Sequence, residues 1–375
     1  MPEVEIRFPA DQVCSGSFRL LELPPDLCRL IESSVDDPSL MIKGGPEDDA
    51  VLCTSDKTYN IRSVTLSNSV LVVSPVPHID GGEDQVIIQD SLNELLELVP
   101  AVPKLHRMNV MLQEHEWEEG YEEEDEDESL EGIFKAKRKR FTLEDAQIEL
   151  QASEQEIAQA LKEKHMLIID GALRPLSPTY LHKILELLLM HLVSLSQLHD
   201  AASVLELSRS LEYEHEVRRE VTLQVMRWFG EVDVADERWK MDVEKVVRQV
   251  GLGILCQHKT DPISEDEFIA KWNTAVGDTF ASHTSLKLLT GNYLCAPSPF
   301  STSTKLSYFP CAELPTDPAM RFADLFLTRE RWKAEEIVPY LSDIAVDTKD
   351  LDKLLLKYAR ALTDKEGLWF TARAR

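Results

Sequence analysis

The hydrophobic periodicity of this chain changes near Phe141, and that change constrains the fold more than any other feature. Before Phe141, apolar side chains recur in short runs typical of β-strands. After it they recur about every 3.6 residues, and helical segments run three times into a short hairpin. The sequence therefore predicts an α+β protein with a β-rich region first and helical modules after it.

The predicted β region covers residues 4–90 and consists of short runs rich in Val, Ile and Leu, separated by Gly, Pro, Asp and Ser. "LPPDLCRLIESS" interrupts it with one short helix that begins near Pro24 and Pro25. A second helix is predicted in "SLNELLELVPAVP", because Ser91 and Glu94 have the spacing of a capping box. The edges of such a sheet need cover, from a partner chain or from internal closure.

Charge is unevenly distributed in this acidic chain, whose formal net charge is −27. The segment "EHEWEEGYEEEDEDESLEG" predicts a disordered linker or an exposed loop, because like charges repel one another and bury nothing. A basic run follows it at once. This run is either a nuclear localisation signal or nucleic-acid patch, or a neutralising neighbour of the acidic block. The residues of the candidate signal are Lys137, Arg138, Lys139 and Arg140.

Several classes of function find no support in the sequence. The phosphate-binding, dinucleotide-binding, zinc-protease and serine-hydrolase motifs are missing, so no catalytic residue and no cofactor are predicted. The six cysteines form no C-x-x-C pair and the ten histidines show no clustering, which predicts no metal site. The most apolar segment, "YLHKILELLLMHLVSL", contains charged residues and predicts a buried helix. The first residues lack a secretory pattern, so an intracellular chain is expected.

Capping and turn residues mark the first two helical passes after Phe141. Thr142 and Ser153 each open a short helix, and the following hairpin is predicted to turn at Asp170-Gly171. In the second pass Ser264 caps a helix, and a hairpin is predicted to turn at Gly291-Asn292. The apolar stripe of the helix that Ser264 opens consists of Phe268, Trp272 and Val276.

The last pass is the clearest, because three helical segments precede the terminal hairpin "RALTDKEGLWFTARAR". Gly367 is expected to supply the positive φ of its turn. Three helices followed by a two-stranded wing is the order of a winged helix, which presents its third helix to a DNA groove. We therefore predict tandem winged-helix domains at 141–200, 201–300 and 316–375.

The candidate binding site lies in this last module. In the final helix the spacing of the leucines predicts a core-facing stripe, and basic side chains line another face and continue into the wing. Such a patch would bind DNA phosphates or an acidic protein surface. The alternative is an ordinary solvated helix face with Trp369 packed inward. The predicted binding residues are Lys349, Lys353, Lys357, Arg360, Lys365, Arg373 and Arg375.

Four stretches carry a resemblance to a known family: "LLELPPDLCRLIES", "AVLCTSDKTYNIRSV", "QASEQEIAQAL" and "FADLFLTRERWKAEEIVPYLSDI". In order and spacing they resemble the sister chromatid cohesion proteins of the defective-in-cohesion (Dcc) family. The resemblance runs from Phe18 to the C terminus and is patchier between 195 and 315. This family contributes a subunit without ATPase activity to the alternative, cohesion-linked replication factor C clamp loader.

The resemblance implies a nuclear, non-catalytic adaptor with no membrane partner. In the family the β region, here 1–110, forms a shared barrel with the small chromosome-transmission-fidelity subunit and the C-terminal tail of the large clamp-loader subunit. The linker expected at 111–140, acidic and then basic, comes from the composition and is not carried over from the family. The winged helices would dock on the catalytic subunit of DNA polymerase epsilon and contact DNA, bringing a loader of the PCNA clamp to the leading strand. The expected fold is thus a β-barrel-like region, an all-helical linker and tandem winged helices.

Two other functions stay open at this point. A free-standing winged-helix transcription regulator would bind DNA tightly and sequence-specifically by itself. The adaptor would bind DNA weakly, with strong salt dependence and little sequence preference, and would form a stable complex with two other proteins. A hydrolase with an unrecognised site would need titratable groups clustered in a pocket.

Overall fold

The computed structural model describes residues 4–8, 18–33, 39–46, 48–75, 84–112, 116–118, 141–233, 235–297, 304–365 and 367–373. Its helices and strands confirm a mixed α+β protein. The chain divides into two compact units. The first comprises Met1–Lys104 and Gln147–Ile157, and the second Leu105–Ala146 and Ala158–Arg375.

A six-stranded sheet forms the body of the first unit. Its strands are β1 Val4–Arg7, β2 Leu20–Glu22, β3 Met41–Lys43, β4 Val51–Cys53, β5 Thr58–Pro75 and β6 Asp84–Pro100. The strand order is β1-β6-β5-β4-β3, with β2 paired further along β6. β1 and β2 run parallel to β6, and the other pairs are antiparallel. Over the described residues the sheet stays open, with β3 at one edge, and does not close into a barrel.

The helix predicted in "SLNELLELVPAVP" is wrong, because Ser91–Pro100 form the second half of β6. β5 and β6 pair over most of their length, apart from two β-bulges. Ser91 caps no helix, and Glu94 accepts a hydrogen bond from the Ser63 hydroxyl at 3.1 Å across the strand pair. Strand pairing outweighs the local signal because it satisfies backbone groups along the whole segment, whereas a capping box satisfies two.

One short helix packs on this sheet. α1 spans Pro25–Ser33 and begins at a proline, as the sequence predicted. The Tyr59 hydroxyl donates a hydrogen bond to the Asp26 carboxylate at 2.9 Å. Burial, and then this carboxylate, raises the pKa of Tyr59 to about 12. The small buried cluster between helix and sheet consists of Leu27, Leu52, Tyr59 and Leu98.

The segment Gln147–Ile157 belongs to the first unit although it is distant in sequence. The Thr58 hydroxyl of β5 donates a hydrogen bond to the Glu156 carboxylate at 2.5 Å. Ser153 and Glu156 form the predicted capping box, with the Ser153 N–H donating to Glu156 at 2.8 Å and its hydroxyl accepting from the Glu156 N–H at 3.2 Å. The residues that open this helix therefore also attach the segment to the sheet.

The chain next forms α2 His106–Leu112, α3 Leu143–Glu149, α4 Glu154–Glu163, β7 Met166–Ile169 and β8 Ala172–Pro175. Thr142 and Asp145 make the predicted capping interaction at the start of α3. The Thr142 N–H donates to the Asp145 carboxylate at 3.0 Å, and the Asp145 N–H donates to the Thr142 hydroxyl oxygen at 3.2 Å. The β7–β8 hairpin turns at Asp170-Gly171, where φ is 50° and 76°, and this prediction is confirmed. This hairpin belongs to the segment predicted as the first winged helix, and most of the linker predicted at 111–140 lies outside the described residues.

Trp117 is a fixed point within the predicted linker. This residue is 3% exposed, and its backbone N–H donates a hydrogen bond to the Pro175 carbonyl oxygen at 2.7 Å. The guanidinium carbons of Arg174 and Arg218 lie 5.9 and 5.0 Å from the ring centroid. The acidic block is thus anchored at this residue. Its part from residue 119 onward, and the candidate signal Lys137–Arg140, lie outside the described residues.

Three successive segments of the second unit share one element order: helix, strand, helix, a third helical segment, strand, strand. In each, the last strand lies between the other two of an antiparallel sheet. The first repeat has α5 Pro178–Ser194, β9 Ala202–Ser203, α6 Val204–His215, α7 Arg219–Trp228, β10 Gly230–Asp233 and β11 Arg238–Met241.

The second and third repeats follow the same order. The second has α8 Val243–Leu255, β12 Ile263–Ser264, α9 Glu265–Val276, a 3₁₀ helix Leu286–Leu289, β13 Tyr293–Pro297 and β14 Thr304–Tyr308. The third has α10 Pro318–Thr328, β15 Arg331–Lys333, α11 Ala334–Ile337, α12 Thr348–Tyr358, β16 Ala359–Asp364 and β17 Gly367–Ala372.

The repeat boundaries differ from the predicted divisions at 141–200 and 201–300. Sequence reasoning grouped α5 with the β7–β8 hairpin before it, whereas α5 is the first helix of the repeat that also contains α6 and α7. The start of each repeat was hard to recognise because the strand between its first two helices is very short. β9 and β12 have two residues each, too few to show a period of two.

The hairpins of the last two repeats had different outcomes. The turn predicted at Gly291-Asn292 does not join two strands, because Leu286–Leu289 is a 3₁₀ helix and β13 pairs with β14 instead. The predicted terminal hairpin is confirmed. β16 and β17 pair along their whole length and turn into Gly367, whose φ is 124°.

Each repeat buries a tryptophan in its core, namely Trp239, Trp272 and Trp332, none more than 1% exposed. The stripe predicted for α9 is confirmed, and the Ser264 hydroxyl caps that helix. A buried indole needs a hydrogen-bond acceptor, and all three find one on a helix backbone. The acceptors are the carbonyl oxygens of Met226, Val247 and Leu325, at 2.9, 2.8 and 2.9 Å.

α5 contains the most apolar segment of the chain, and its buried face packs into the core of the first two repeats, as predicted. Its polar positions face outward or pair, as with His182 and Glu186 at 3.4 Å. Across the residues that the structure describes, no helix has both the length and the hydropathy needed to cross a bilayer.

Candidate nucleic-acid or protein interface

α12 presents three exposed lysines, here called the helix lysines: Lys349, Lys353 and Lys357. The helix begins after Asp347, whose carboxylate accepts a hydrogen bond from the Asp350 N–H at 2.7 Å. Its opposite face packs into the core of the third repeat, as the apolar spacing predicted. This packing holds the lysines in solvent. The core-facing residues are Leu351, Leu354, Leu355 and Tyr358.

Lys357 has an aromatic neighbour on its own helix. Its ammonium nitrogen lies 4.9 Å from the ring centroid of Tyr358. A hydrogen bond with Tyr358 raises the pKa of Lys357 above the ordinary lysine value. Tyr358 in turn stacks on Phe322 of α10, with ring centroids 5.3 Å apart. The contact restricts Lys357 more than a free surface lysine.

Arg360 does not continue the helix face as predicted, because α12 ends at Tyr358 and Arg360 is the second residue of β16. The strand register places Arg360 opposite Thr371, and Thr371 opposite Arg331 on its other side. Directly opposed residues share one face of a sheet. Arg360 therefore belongs with Arg331 on the outer face of the terminal sheet.

Trp369 lies on the same outer face of the terminal sheet. The guanidinium carbon of Arg331 and the ammonium nitrogen of Lys333 lie 4.7 and 5.3 Å from its ring. Its indole N–H donates to the Asp364 carboxylate at 2.9 Å, and Arg331 pairs with Asp364 at 2.8 Å. Trp369 is thus half-buried beneath cations, while its neighbour Phe370 fills the core.

Sequence reasoning missed Arg331 and Lys333. They lie in a three-residue strand whose partner, β17, is almost forty residues away, so no local pattern joins them to the hairpin. The available signal was the "RWK" alternation, in which Trp332 points into the core and the cations point out. We call Arg331, Lys333 and Arg360 the sheet cations.

The remaining predicted residues have separate environments. The guanidinium of Arg373 donates to the carbonyl oxygens of Leu356 and Lys357 at 2.7 and 3.4 Å. These are the last carbonyls of α12, where a cation is favourable, so Arg373 holds the helix end. Lys365 is exposed in the hairpin turn. Arg375 lies outside the described residues.

A shallow depression of about 590 Å³ lies where α5, α8 and α9 meet. Two pairs of its polar side chains form along single helices, His182 with Glu186 at 3.4 Å and Lys271 with Glu267 at 2.9 Å. Both pairs are four residues apart, the usual spacing of ion pairs on a helix surface. We assign no catalytic group to this depression.

The fold and the candidate site define an α+β protein with an open sheet and three repeated helical modules, whose distinctive feature is a charged surface on the last module. The chain belongs to the family described as "Sister chromatid cohesion protein Dcc1", which it matches over residues 18–341. The family is named for cohesion, and its name indicates no catalytic activity.

Individual relatives match almost the whole chain. The human sister chromatid cohesion protein DCC1 is 28% identical, over 94% of this chain and 87% of that protein. The protein of the same name from Xenopus laevis is 29% identical, over 94% of this chain and 88% of its own length. The protein of that name from Saccharomyces cerevisiae is 26% identical, over 92% of this chain and 93% of its own length.

Proposed function

We propose that this chain is a non-catalytic, nuclear adaptor subunit of the alternative replication factor C complex, acting in sister chromatid cohesion and DNA replication. The observation that carries the proposal is the family match over residues 18–341. The relatives are named for sister chromatid cohesion and have similar length. In this role other subunits hydrolyse ATP, and this chain connects the clamp loader to DNA polymerase epsilon and DNA.

The three repeats act as winged-helix modules at 178–241, 243–308 and 318–372. Their element order, and the central position of the last strand in each sheet, support this assignment. In the third module α12 is the presented helix and the β16–β17 hairpin is the wing. These bounds replace the sequence-based divisions.

The open sheet of the first unit is the part that partner subunits complete. Apolar side chains on or next to its outer strands are exposed, among them Ile6 at 55%, Phe8 at 80% and Ile42 at 67%. Exposed apolar residues beside unpaired strand edges support a shared barrel with the small chromosome-transmission-fidelity subunit and the tail of the large subunit.

The helix lysines and the sheet cations bind DNA or the catalytic subunit of DNA polymerase epsilon, and so bring a PCNA loader to the replication fork. Seven exposed or half-buried cations on α12 and the terminal sheet with its turn support this role on a chain whose net charge is −27. Their contacts with phosphates would be sequence-tolerant and would weaken with salt. Those cations are Arg331, Lys333, Lys349, Lys353, Lys357, Arg360 and Lys365.

The test uses the chain assembled with its partner subunits. The triple variant Lys353→Glu, Lys357→Glu and Lys365→Glu is expected to lower affinity for DNA or polymerase at least about tenfold. If DNA is the ligand, the variant also reduces the salt slope by about one for each phosphate that the protein no longer neutralises. Binding would be measured by fluorescence anisotropy at several salt concentrations.

The matched control reverses three exposed lysines of the first two repeats, with the same change of charge: Lys240, Lys271 and Lys287. The control is expected to bind as the unmodified complex does. If both triple variants bind DNA and polymerase normally, the basic surface has no such role. Failure of the chain to co-purify with clamp-loader subunits from nuclear extract would refute the adaptor itself. Tight, sequence-specific binding by the isolated chain would favour a transcription regulator.

A further inference from the structure

Two histidines that the sequence keeps apart meet in the first repeat. His191 lies in the last turn of α5 and His215 is the last residue of α6. Their Nε2 atoms are 3.2 Å apart, and a carboxylate oxygen of Glu214 lies 4.0 Å from Nε2 of His191. One ligand atom from each of the three residues lies within 4.8 Å of the other two.

This spacing suits a tetrahedral metal ion. Zinc bonds imidazole nitrogen and carboxylate oxygen at about 2.0–2.2 Å, which separates two ligands of a tetrahedron by about 3.3–3.6 Å. The distance between the histidine nitrogens is already close to this value. The Glu214 side chain is 54% exposed and lies at a helix end, so a small rotation would bring its oxygen into place.

The surroundings also favour a cation. Both histidines lie in the last turns of their helices, where backbone carbonyls give a negative potential. The His191 side chain is 4% exposed and is therefore held firmly, whereas Glu214 opens the site to water. α6 ends directly after His215 because Glu216 has φ of 56°, which fixes where the second imidazole lies.

We propose that His191, Glu214 and His215 bind one zinc ion, with water as the fourth ligand, and that this ion ties α5 to α6. This two-histidine, one-carboxylate set with an open position is a known zinc arrangement. The proposal is independent of the adaptor role. It reverses the expectation of no metal site, which rested on the sequence spacing of histidines and cysteines. A hydrogen bond between two neutral imidazoles is the competing explanation of the 3.2 Å distance.

Direct metal binding by the purified full chain tests the proposal. After chelation and dialysis, the chain is titrated with Zn²⁺ alone, and with Co²⁺ to follow the visible absorption of a four-coordinate ion. We expect one Zn²⁺ per chain and a concentration-dependent rise in Tm, because a metal that binds only the native state stabilises it. Absence of stoichiometric Zn²⁺ binding would leave the imidazole hydrogen bond as the explanation and overturn the proposal.

Variants locate the bound ion. His215→Gln is expected to weaken Zn²⁺ binding at least about 100-fold, since loss of even an outer partner costs about 10–100-fold, and Glu214→Gln to weaken it about tenfold. Both positions lie at the surface end of α6, which limits damage to the core. His283→Gln replaces an exposed histidine elsewhere and serves as the matched control. Equal Zn²⁺ affinity in His215→Gln and His283→Gln, with unchanged circular dichroism, would also overturn the proposal.

Discussion

The two units of this chain differ in how much apolar surface they bury. Within the described residues the sheet of the first unit covers a small cluster, and it leaves Ile6, Ile42 and Leu71 between 44% and 67% exposed on its strands. The repeats of the second unit bury larger clusters that include their own tryptophans, and they also leave single side chains such as Leu327 and Leu356 87% and 74% exposed. Exposed apolar side chains beside unpaired strand edges favour association with another strand, whereas the repeats are closed around buried cores.

Strand length adds to this contrast. β5 and β6 have 18 and 17 residues, whereas a strand in a globular protein usually has about five or six residues. The repeats instead use strands of two to six residues, each pinned by helices. Over the described residues the other edge of β5 pairs only with β4, at Thr58–Asn60, so we expect a strand from a partner to stabilise the first unit.

The largest expected effect contrasts a core residue of the second unit with an apolar residue of the first. Trp272→Ala should lower the free energy of unfolding by about 4 kcal/mol, because it empties a core position and removes a buried hydrogen bond. Ile42→Thr should change it by less than about 0.5 kcal/mol, because Ile42 is 67% exposed. Denaturant unfolding of the full chain measures both.

Partner binding should reverse that order. Ile42→Thr is expected to weaken assembly with the partner subunits, whereas Trp272→Ala, measured where it is folded, should not. If Ile42→Thr destabilises the isolated chain as much as Trp272→Ala does, the first unit has a closed core of its own, and the comparison between the units fails.

An intermediate effect concerns pH. Burial, and then the nearby Arg248, lowers the pKa of His165 to about 4. An unfolded histidine has a pKa of about 6.5, so the folded state favours the neutral ring. The resulting stability is complete above about pH 6.5 and is lost as the pH falls towards 4, by up to about 3 kcal/mol. Acid should therefore destabilise the second unit.

His165→Asn tests this dependence. His165 has φ of 51°, a conformation that asparagine tolerates, so the variant removes the titration without adding backbone strain. The free energy of unfolding, measured from pH 7 to pH 4, should fall less steeply in the variant than in the parent chain. His283→Asn, at an exposed histidine, should keep the parent slope. Parallel slopes for His165→Asn and the parent would contradict the prediction.

The smallest expected effect separates two serines with the same capping-box spacing. The Ser264 hydroxyl accepts the Glu267 N–H at 3.3 Å, so Ser264→Ala should cost about 1 kcal/mol. Ser91 is exposed within β6, and Ser91→Ala should change stability by less than about 0.5 kcal/mol. A decrease of about 1 kcal/mol at Ser91, the usual cost of removing a cap, would indicate that this segment is a helix after all. Thermal unfolding of both variants provides the measurement.

Local signals predicted much of the chain after Phe141. The capping boxes at Ser153 and Ser264, the turn at Asp170-Gly171 and the glycine of the terminal hairpin were all found from the sequence. Each depends on residues within four positions of one another. The apolar stripe of α12 was predicted for the same reason, and with it the exposure of the helix lysines.

The candidate site was predicted only in part. The helix lysines lie where the spacing placed them, but Arg360 turned to the sheet, and Arg373 is engaged at the end of α12. Arg331 and Lys333 were invisible, since strand pairing joins them to the hairpin from far along the chain. The same holds for His191 and His215, which packing of α5 on α6 brings together.

The amino-acid sequence by itself determined which segments are helical or extended wherever the pattern lies within one element, and it determined the family. Tertiary structure alone decided that Ser91–Pro100 is a strand, that the repeats begin at α5, and which cations share a face. The physical reason is range. Capping and periodicity act over three or four residues, whereas strand pairing and helix packing draw on partners tens of residues away, and their larger summed energy prevails where the two conflict.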